Sequence, residues 1–284
     1  MTCLSPQLFA ILSALVEDRL GIHYGLEDAP VFSDKIITRA REAAFESILD
    51  YYYFLRYDPS AAAELEALAD ALVVGETYFF RELEAVRAGV EHVLVPAVRK
   101  RGYARVWSAA CATGEEPLSV AMLLDEAGIA DRTVIVATDV SARALARARG
   151  GQYTARSLRA LPPNSPPVGW TPSLGAIAAT AMAREANRAQ VSRSLLASVD
   201  YRQLNLIDPA AIAALGTFDL VLCRNVLIYF SDPTVLRVVA SLSGALAEDG
   251  GRLLIGASES LLRFGTALRC EERGGAFFYA RGGP

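Results

Sequence analysis

The sequence is poor in the residues from which many catalytic and metal centres are built. Its 284 residues include only two histidines, His23 and His92, so we do not expect a histidine-based triad or metal centre. The four cysteines lack the paired spacing of a disulfide framework or a zinc site. Such cysteine usage is typical of reduced thiols, and it predicts a cytoplasmic protein without a bound metal.

Long apolar runs and an excess of positive charge are also missing. The longest apolar stretches, such as residues 174–183, are far shorter than the roughly 18 residues that a membrane span needs. The first residues lack the basic start of a signal peptide. A net charge of −4 argues against a broad basic face for nucleic acid. We therefore expect neither membrane insertion nor a nucleic-acid partner.

The chain contains a helical part followed by an α/β part. Residues 1–75 carry apolar side chains at helical spacing and no strand-like alternation, which predicts a small all-helical domain. Beyond residue 100, short runs such as "RVWSAA", "TVIVATDV" and "FDLVLCRNV" alternate with helical segments, which predicts a mostly parallel sheet. The last run, "ALRCEERGGAFFYAR", predicts an antiparallel hairpin at the sheet edge.

Two acidic residues occupy the turn after the first predicted strand, in "SAACATGEEP". Ligands bind at the carboxyl ends of parallel strands, but this turn lacks the G-x-G-x-x-G fingerprint of dinucleotide sites. A carboxylate at Glu115 would repel a pyrophosphate and suits a cationic or zwitterionic ligand such as S-adenosylmethionine. In the alternative, Glu115 and Glu116 only stabilise a helix start through its dipole, by roughly 0.3–1 kcal/mol.

The next two strands also end in polar side chains. Asp139 follows Gly114 by 25 residues and closes "TVIVATD", where an acidic residue typically accepts ribose hydroxyls. Its alternative role is to cap the following helix. Arg224 and Asn225 end "FDLVLCRNV", and a buried charge there requires a partner, so an internal salt bridge is the alternative to ligand binding.

These motifs, taken in order with "ETYFFRE" at 76–82 and "LNLID" at 204–208, resemble the CheR family of chemotaxis receptor methyltransferases. The resemblance covers most of the chain and implies S-adenosylmethionine-dependent methylation of protein glutamates. It implies a Rossmann-like class I methyltransferase domain over 101–284, preceded by a helical domain over 1–75 and a linker over 76–100. A small subdomain is expected within the insertion around 155–195.

The resemblance also implies which residues contact the cofactor. Glu115 corresponds to the residue that holds the amino group, with Glu116 not excluded, and Asp139 corresponds to the ribose ligand. The other positions implied to contact the cofactor are Thr77, Arg81, Asn205, Leu206, Arg224 and Asn225. For the aromatic residues within "ETYFFRE", the alternative is a purely structural place in the core.

The sequence departs from the family pattern at three places. Family members usually carry Asn or His immediately before "ETYFFRE", where this chain has Gly75, so one polar cofactor contact is expected to be missing. The arginine-rich receptor-docking helix is represented by "SDKIITRAREAAFE", in which acidic residues accompany Lys35, Arg39 and Arg41. The insertion shows little strand alternation, so we expect its subdomain to be shortened or absent.

The implied reaction needs no general base, because a free glutamate has a pKa of about 4.3 and is ionised at neutral pH. A cation should hold the substrate carboxylate, and Arg99 in the basic run 99–101 is the candidate, with Tyr229 lining the substrate path. The expected partner is the cytoplasmic domain of a methyl-accepting chemoreceptor, and the expected state is a monomer. The alternatives are a methyltransferase for nucleic acid or small molecules, and a cofactor-binding sensor or scaffold without turnover.

Overall fold

Four helices form the first part of the chain in the computed structural model, which describes residues 3–161, 167–185 and 188–282. The helices are α1 (Pro6–Leu20), α2 (Ala29–Glu42), α3 (Ile48–Tyr57) and α4 (Ala62–Leu72). The Ser5 hydroxyl caps α1 by accepting the Leu8 N–H at 3.3 Å, and Gly21 ends it with a φ of +80°. Phe32, Ile36 and other apolar side chains form a core of their own between these helices.

A helical connection joins this part to the sheet. A stretch without helix or strand covers 73–82 and ends in turns at 79–82. It is followed by α5 (Leu83–Gly89), a π-helical turn (Val90–Leu94) and α6 (Val95–Arg101). Leu83, Leu94 and Val98 are at most 2% exposed and pack with the side chains of the sheet. Much of the segment predicted to be a linker therefore packs as helix on the sheet.

A seven-stranded sheet forms the centre of the rest of the chain, in the order β6-β2-β1-β7-β8-β10-β9. Its strands are β1 (Ala104–Ala109), β2 (Thr133–Asp139), β6 (Val199–Gln203), β7 (Leu220–Cys223), β8 (Arg252–Ile255), β9 (Leu268–Arg273) and β10 (Ala276–Arg281). The first five in this spatial order are parallel, and β10 and β9 form an antiparallel hairpin beside β8. The predicted Rossmann-like sheet and its carboxyl-terminal hairpin are confirmed.

Helices cover both faces of this sheet. They are α7 (Glu115–Glu126), α8 (Ala142–Gly150), α10 (Arg193–Ala197), α11 (Pro209–Ala214) and α12 (Asp232–Gly244). The apolar side chains divide into two cores, one on each face of the sheet. The order of the strands reverses between β1 and β7, so a crevice opens at the carboxyl ends of these two strands.

A small subdomain is present within the insertion, so the expectation that it could be absent is not met, whereas nothing here tests whether it is shortened. A second sheet joins β3 (Gln152–Thr154), β5 (Arg188–Val191) and β4 (Met182–Glu185) in antiparallel fashion, and α9 (Pro172–Ala181) precedes β4. Each strand has only three or four residues and buries one or two of them, which is too little alternation to recognise in a sequence. The "PPNSPP" stretch falls largely on 162–166, outside the described residues.

Candidate cofactor and substrate site

A cavity of about 400 Å³ lies where the amino-terminal helices meet the carboxyl ends of β1, β2 and β7. Its wall combines residues from α1 and α2, from the connection at 72–83, and from the segments that follow β1, β2, β6 and β7. This volume is in the usual range for a small-molecule site, roughly 300–1,000 Å³. Within the described ranges, no three His, Cys, Asp or Glu side chains are grouped to hold a metal ion.

The loop after β1 has an unusual backbone. Ala110, Ala112 and Gly114 have φ values of 60°, 49° and 91°, a left-handed conformation that is costly for residues other than glycine. A Cβ atom at Gly114 would lie 2.7 Å from the Cβ atom of Ala148 and 2.9 Å from the Tyr201 hydroxyl. Close packing of the loop on α8 therefore requires glycine at position 114.

Asp139 lies in the cavity wall with its carboxylate held in place by backbone donors. One oxygen accepts the Ala112 N–H at 2.8 Å and the other accepts the Ser141 N–H at 2.9 Å. The cap of α8 is the Ser141 hydroxyl, which accepts the Ala144 N–H at 2.9 Å, so Asp139 does not serve as that cap. Burial raises the pKa of Asp139, although its backbone hydrogen bonds oppose the rise. An oriented, largely dehydrated carboxylate of this kind suits a pair of hydroxyls.

Glu116, and not Glu115, faces the cavity. Glu116 accepts a 2.6 Å hydrogen bond from the Ser108 hydroxyl and forms a 2.7 Å ion pair with Arg224. Glu115 is 1% exposed, accepts a 2.7 Å hydrogen bond from the Thr113 hydroxyl and does not line the cavity. Burial raises the pKa of Glu115. The structure therefore does not place the predicted residue Glu115 in the cavity wall. Successive helical residues point about 100° apart, so Glu116 faces the cavity and Glu115 does not.

Arg224 joins three segments around the cavity. Its guanidinium lies 2.7 Å from Glu116 and 3.0 Å from Glu82, and it donates to the Arg81 carbonyl oxygen at 2.8 Å. The side chain is only 2% exposed, and the two carboxylates raise its pKa against the opposing effect of burial. Burial acts to raise the pKa of Glu82, but the Arg224 charge holds it below its usual value. The internal salt bridge that the sequence left open is confirmed.

Arg224 also borders the cavity. Its Nε atom is buried and has no hydrogen-bond partner among the described residues. A buried guanidinium N–H without a partner is costly, and the two carboxylates on the other nitrogens compensate for that cost. The side chain can therefore serve both as a structural bridge and as a wall of the ligand site.

Asn225 lies in the cavity wall with a φ of 58°, and Glu259 holds it there. The Glu259 carboxylate accepts the backbone N–H groups of Asn225 at 2.8 Å, Gly256 at 2.8 Å and Leu227 at 2.9 Å. Sequence reasoning missed Glu259. Its position in "GASES", just beyond the carboxyl end of β8, is the signal that could have identified it.

The other predicted cofactor residues lie in the same cavity wall. Thr77 and Arg81 contribute from the connection between the helical part and α5, and Leu206 contributes from beyond β6. Asn205 also lines the cavity, where its amide donates to the Arg19 carbonyl at 2.9 Å and accepts the Ile207 N–H at 3.2 Å. The Asn205 amide thus ties the end of α1 to the sheet as well as facing the site.

Tyr229 lines the cavity, whereas Arg99 does not. The Tyr229 carbonyl accepts the His23 N–H at 2.8 Å, which joins the substrate side of the cavity to the end of α1. Arg99 is exposed in the last turn of α6, before the amino end of β1. The cavity is at the opposite end of that strand, roughly 20 Å away for six residues. The structure therefore does not bring Arg99 to the cavity, and its neighbours Lys100 and Arg101 pair with Asp249 and Asp219.

The "ETYFFRE" segment divides between core and cavity. Phe79 and Phe80 are 0% and 2% exposed and belong to the core, as the structural alternative predicted, although Phe80 also touches the cavity. Tyr78 is half-buried and lines the cavity. Gly75 borders the cavity too, and a Cβ atom added there would meet nothing within 4 Å. The polar contact that the family pattern implies is absent, and the space for it is open.

The residues present fit S-adenosylmethionine. The fixed Asp139 carboxylate suits the ribose hydroxyls, the Glu116 carboxylate suits a cationic group, and the positive charge of Arg224 in the wall suits a carboxylate. Leu204, Leu206 and Val140 add apolar surface for a base. The cavity thus offers hydrogen-bond acceptors or a charge of opposite sign to the polar groups of this cofactor.

Comparison with known proteins also indicates a site for S-adenosylmethionine. A family model described as CheR methyltransferase, SAM binding domain, matches residues 75–273. Chemotaxis protein methyltransferase 2 of Vibrio cholerae is 35% identical over 82% of this chain and 78% of its own length. Chemotaxis protein methyltransferase 1 of Pseudomonas aeruginosa is 30% identical over 89% of this chain and 90% of its own.

A further relative carries a different name. The probable biofilm formation methyltransferase WspC of Pseudomonas aeruginosa is 32% identical over 87% of this chain, which spans 56% of the length of WspC. Likeness over most of the chain is thus shared by proteins named for chemotaxis and for biofilm formation. The chain belongs to the CheR family of methyltransferases, and its cofactor is S-adenosylmethionine.

Proposed function

We propose that the protein transfers a methyl group from S-adenosylmethionine to glutamate side chains on the cytoplasmic helices of a chemoreceptor. The relatives named chemotaxis protein methyltransferases support this proposal. The observation that carries it is the position of Lys35, a cation that enters the cofactor cavity from the helical part of the chain. A substrate carboxylate needs such a cation beside the reactive methyl group.

Lys35 is suited to this task by its surroundings. Its ammonium donates to the Leu72 carbonyl at 2.9 Å, which leaves two of its three N–H donors for a ligand. No described carboxylate lies within ion-pair distance of it, whereas Arg39, one turn further along α2, is paired with Glu64 at 2.7 Å. Burial lowers the pKa of Lys35, and binding of a carboxylate would restore it. Arg81, in the same cavity wall, is the second candidate cation.

The cofactor contacts follow from the wall of the cavity. Asp139 accepts the ribose hydroxyls, and Glu116 replaces Glu115 as the residue near the amino group. Arg224 is the cation of the wall that faces the cofactor carboxylate. The remaining contacts in this proposal come from Thr77, Asn205, Leu206 and Asn225.

The chain's contribution to the reaction is to bind and align. When bound, S-adenosylmethionine supplies an electrophilic methyl group on a positively charged sulfur. With the cofactor held by Asp139, Glu116 and Arg224, the carboxylate of the substrate would be the nucleophile for that methyl group, and the neutral thioether would be the leaving group. No proton moves, so Lys35 needs only to hold the carboxylate in line and exclude water. Alignment of this kind can supply up to roughly 7–11 kcal/mol.

The product is a neutral methyl ester in place of a charged carboxylate. On a bundle of acidic helices this change reduces repulsion between like charges, and it can shift a signalling equilibrium. We assign the helical domain to 1–75, the linker to 76–100 and the catalytic domain to 101–284, acting as a monomer in the cytoplasm. The structure contains no described helix that is long and apolar enough to cross a membrane.

A cofactor-binding sensor or scaffold is the second candidate. Gly75 favours it, because the open space beside this residue weakens the polar wall of the site. A sensor would bind S-adenosylhomocysteine and S-adenosylmethionine but would form no ester.

The test is methyl transfer from tritiated S-adenosylmethionine to purified receptor cytoplasmic fragments, with base-released methanol as the readout. The enzyme gives base-labile label that disappears when the receptor glutamates are changed to glutamine. Lys35→Met should lower the rate of methyl transfer by roughly tenfold or more, because a hydrogen bond to a charged group contributes about 1.5–3 kcal/mol. It leaves affinity for S-adenosylhomocysteine unchanged. Arg99→Met, at an exposed cation on α6 outside the cavity wall, is the control. Cofactor binding without label on any receptor fragment would favour the sensor.

A further inference from the structure

The start of α8 is the place where the amino-terminal helices meet the Asp139 side of the cavity. Asp139 ends β2, Val140 follows it in the cavity wall, and Ser141 caps α8. Val140 also packs against the apolar core of the amino-terminal helices. Three consecutive residues thus connect a carboxylate of the cavity wall with the helical part of the chain.

Asp70, on α4, binds the same start of α8. Its carboxylate accepts the Ser141 hydroxyl and, more weakly at 3.4 Å, the Arg143 N–H. Its carbonyl oxygen accepts from the Arg143 guanidinium at 2.6 Å. Asp70 does not line the cavity, so any influence that it has on a ligand must pass through other residues.

A continuous series of hydrogen bonds leads from Asp70 to Asp139. A serine hydroxyl has a single proton to donate, and Ser141 donates it to Asp70. The same oxygen accepts the Ala144 N–H at 2.9 Å, so the Ser141 side chain is fixed from both sides and is buried. The Ser141 backbone N–H in turn donates to the Asp139 carboxylate at 2.9 Å. Asp70 therefore holds the residue that holds Asp139.

We propose that Asp70 is a positioning residue through which the amino-terminal helices orient Asp139 towards the ribose hydroxyls of the cofactor. This inference rests on the proposed function, in which Asp139 is the ribose ligand. Without the Asp70 carboxylate, the Ser141 hydroxyl loses its acceptor and the start of α8 loses its tie to α4. Asp139 then keeps its charge but loses its fixed orientation, and the ribose hydroxyls bind it less well.

The two carboxylates also affect each other through space. Burial is the main cause of the raised pKa of Asp139, and the charge of Asp70 adds to the rise. Asp70 therefore lies within electrostatic reach of Asp139 as well as at the other end of the hydrogen-bond series. A role confined to the packing of α4 on α8 would weaken every ligand of the cavity alike. Action through Asp139 weakens only ligands that carry ribose hydroxyls.

The test compares S-adenosylhomocysteine with an analogue that lacks both ribose hydroxyls, by calorimetric titration. Asp70→Ala raises the Kd of S-adenosylhomocysteine by roughly three- to tenfold, the effect of one hydrogen bond, and leaves the Kd of the analogue nearly unchanged. Asp70→Asn keeps an acceptor oxygen for Ser141 and recovers most of the lost affinity. Asp50→Ala, at an exposed carboxylate of α3 outside the cavity wall, changes neither Kd.

Two further variants keep the test decisive. Ser141→Ala removes the linking hydroxyl and gives the same ligand-selective loss, which serves if Asp70→Ala does not fold. In an Asp139→Ala protein, which no longer distinguishes the two ligands, Asp70→Ala causes no further loss. An equal loss for both ligands in Asp70→Ala and Ser141→Ala, or no loss in either, would overturn the inference.

Methyl transfer to the receptor fragments tests the proposed function separately. Label on those fragments without a ligand-selective loss would keep the enzyme and remove the role of Asp70. A ligand-selective loss without any label would support that role in a protein that binds the cofactor without turnover. An Asp139→Ala protein that still distinguishes the two ligands would overturn the ribose contact and, with it, this inference.

Discussion

The Glu259 carboxylate accepts the backbone N–H of Asn225 at 2.8 Å and fixes that residue in a left-handed conformation at the cavity wall. A positive φ at a residue other than glycine costs of order 1–3 kcal/mol, so it persists only where its surroundings hold it. Two further N–H groups, from Gly256 and Leu227, bind the same carboxylate. Glu259 thus shapes the cofactor site without lining it.

Glu259→Gln should weaken the binding of S-adenosylhomocysteine. The amide of glutamine has one acceptor oxygen, and its NH2 group would face a backbone donor. The loss of one or two hydrogen bonds to a charged acceptor predicts a rise in Kd of roughly tenfold or more by calorimetry. Glu272→Gln, at an exposed residue of β9, is the control. An unchanged Kd in a folded Glu259→Gln protein would show that Asn225 does not need this support.

Removal of the buried Arg224 should strongly destabilise the fold. Arg224→Met leaves Glu82 and Glu116 without their counter-charge, and loss of one partner from a buried ion pair costs about 3–5 kcal/mol. The free energy of unfolding in urea is the measurement. The triple variant Arg224→Met, Glu82→Gln, Glu116→Gln should recover part of the loss, because it leaves no unpaired charge. If Arg224→Met costs less than about 1 kcal/mol, the bridge behaves as a surface pair does.

The general position of the site could be predicted because the rules for parallel sheets are strong. Asp139, Arg224 and Asn225 follow apolar strands, and the carboxyl ends of neighbouring parallel strands meet at one edge. Their positions after apolar strands therefore predict that these residues lie close together, although no contact between them can be read from the sequence.

What the sequence could not show depends on orientation and on contacts between distant segments. Glu115 and Glu116 differ by about 100° around α7, so only one of them can face the cavity. Both positions favour an acidic residue at the start of a helix, so the sequence does not distinguish them. The position of Glu259 beyond β8 hints at a role, but its N–H partners Asn225 and Leu227, some 30 residues away, cannot be read from the sequence. The charge of Arg99 favours a carboxylate ligand, but this residue precedes β1 and lies at the end of the sheet opposite the cavity.

Acidification should weaken cofactor binding through Asp139. Burial raises the pKa of this carboxyl, so in the free protein it takes up a proton at a higher pH than an exposed aspartate does. Ribose hydroxyls donate to the ionised form, so affinity for S-adenosylhomocysteine falls by up to about tenfold for each pH unit below that pKa. Asp139→Asn should bind weakly and show a much flatter pH profile. Equal slopes in the two proteins would assign the pH dependence to another group.

The raised pKa of Asp139 weakens cofactor binding at low pH, but it makes the folded protein more stable there. A carboxyl whose pKa is raised by folding costs stability above its ordinary pKa, and this cost is relieved as the pH falls. Asp139 therefore contributes no acid unfolding of its own. A thermal melt of the free protein across the same pH range separates loss of binding from loss of the fold. A fall in Tm parallel to the fall in affinity would contradict the assignment to Asp139.

Gly75→Asn should strengthen cofactor binding, because it restores a polar side chain where the family pattern has one. A Cβ atom at Gly75 meets nothing within 4 Å, so the substitution is sterically tolerated. One new hydrogen bond is worth about 0.5–1.5 kcal/mol, which predicts a decrease in Kd for S-adenosylhomocysteine of roughly two- to tenfold. Gly75→Ala, which adds bulk but no polar group, is the matched control and should leave Kd nearly unchanged. If neither substitution changes Kd, the open space beside Gly75 is not part of the cofactor site. If both tighten it equally, a stiffer backbone is the cause and not a new polar contact.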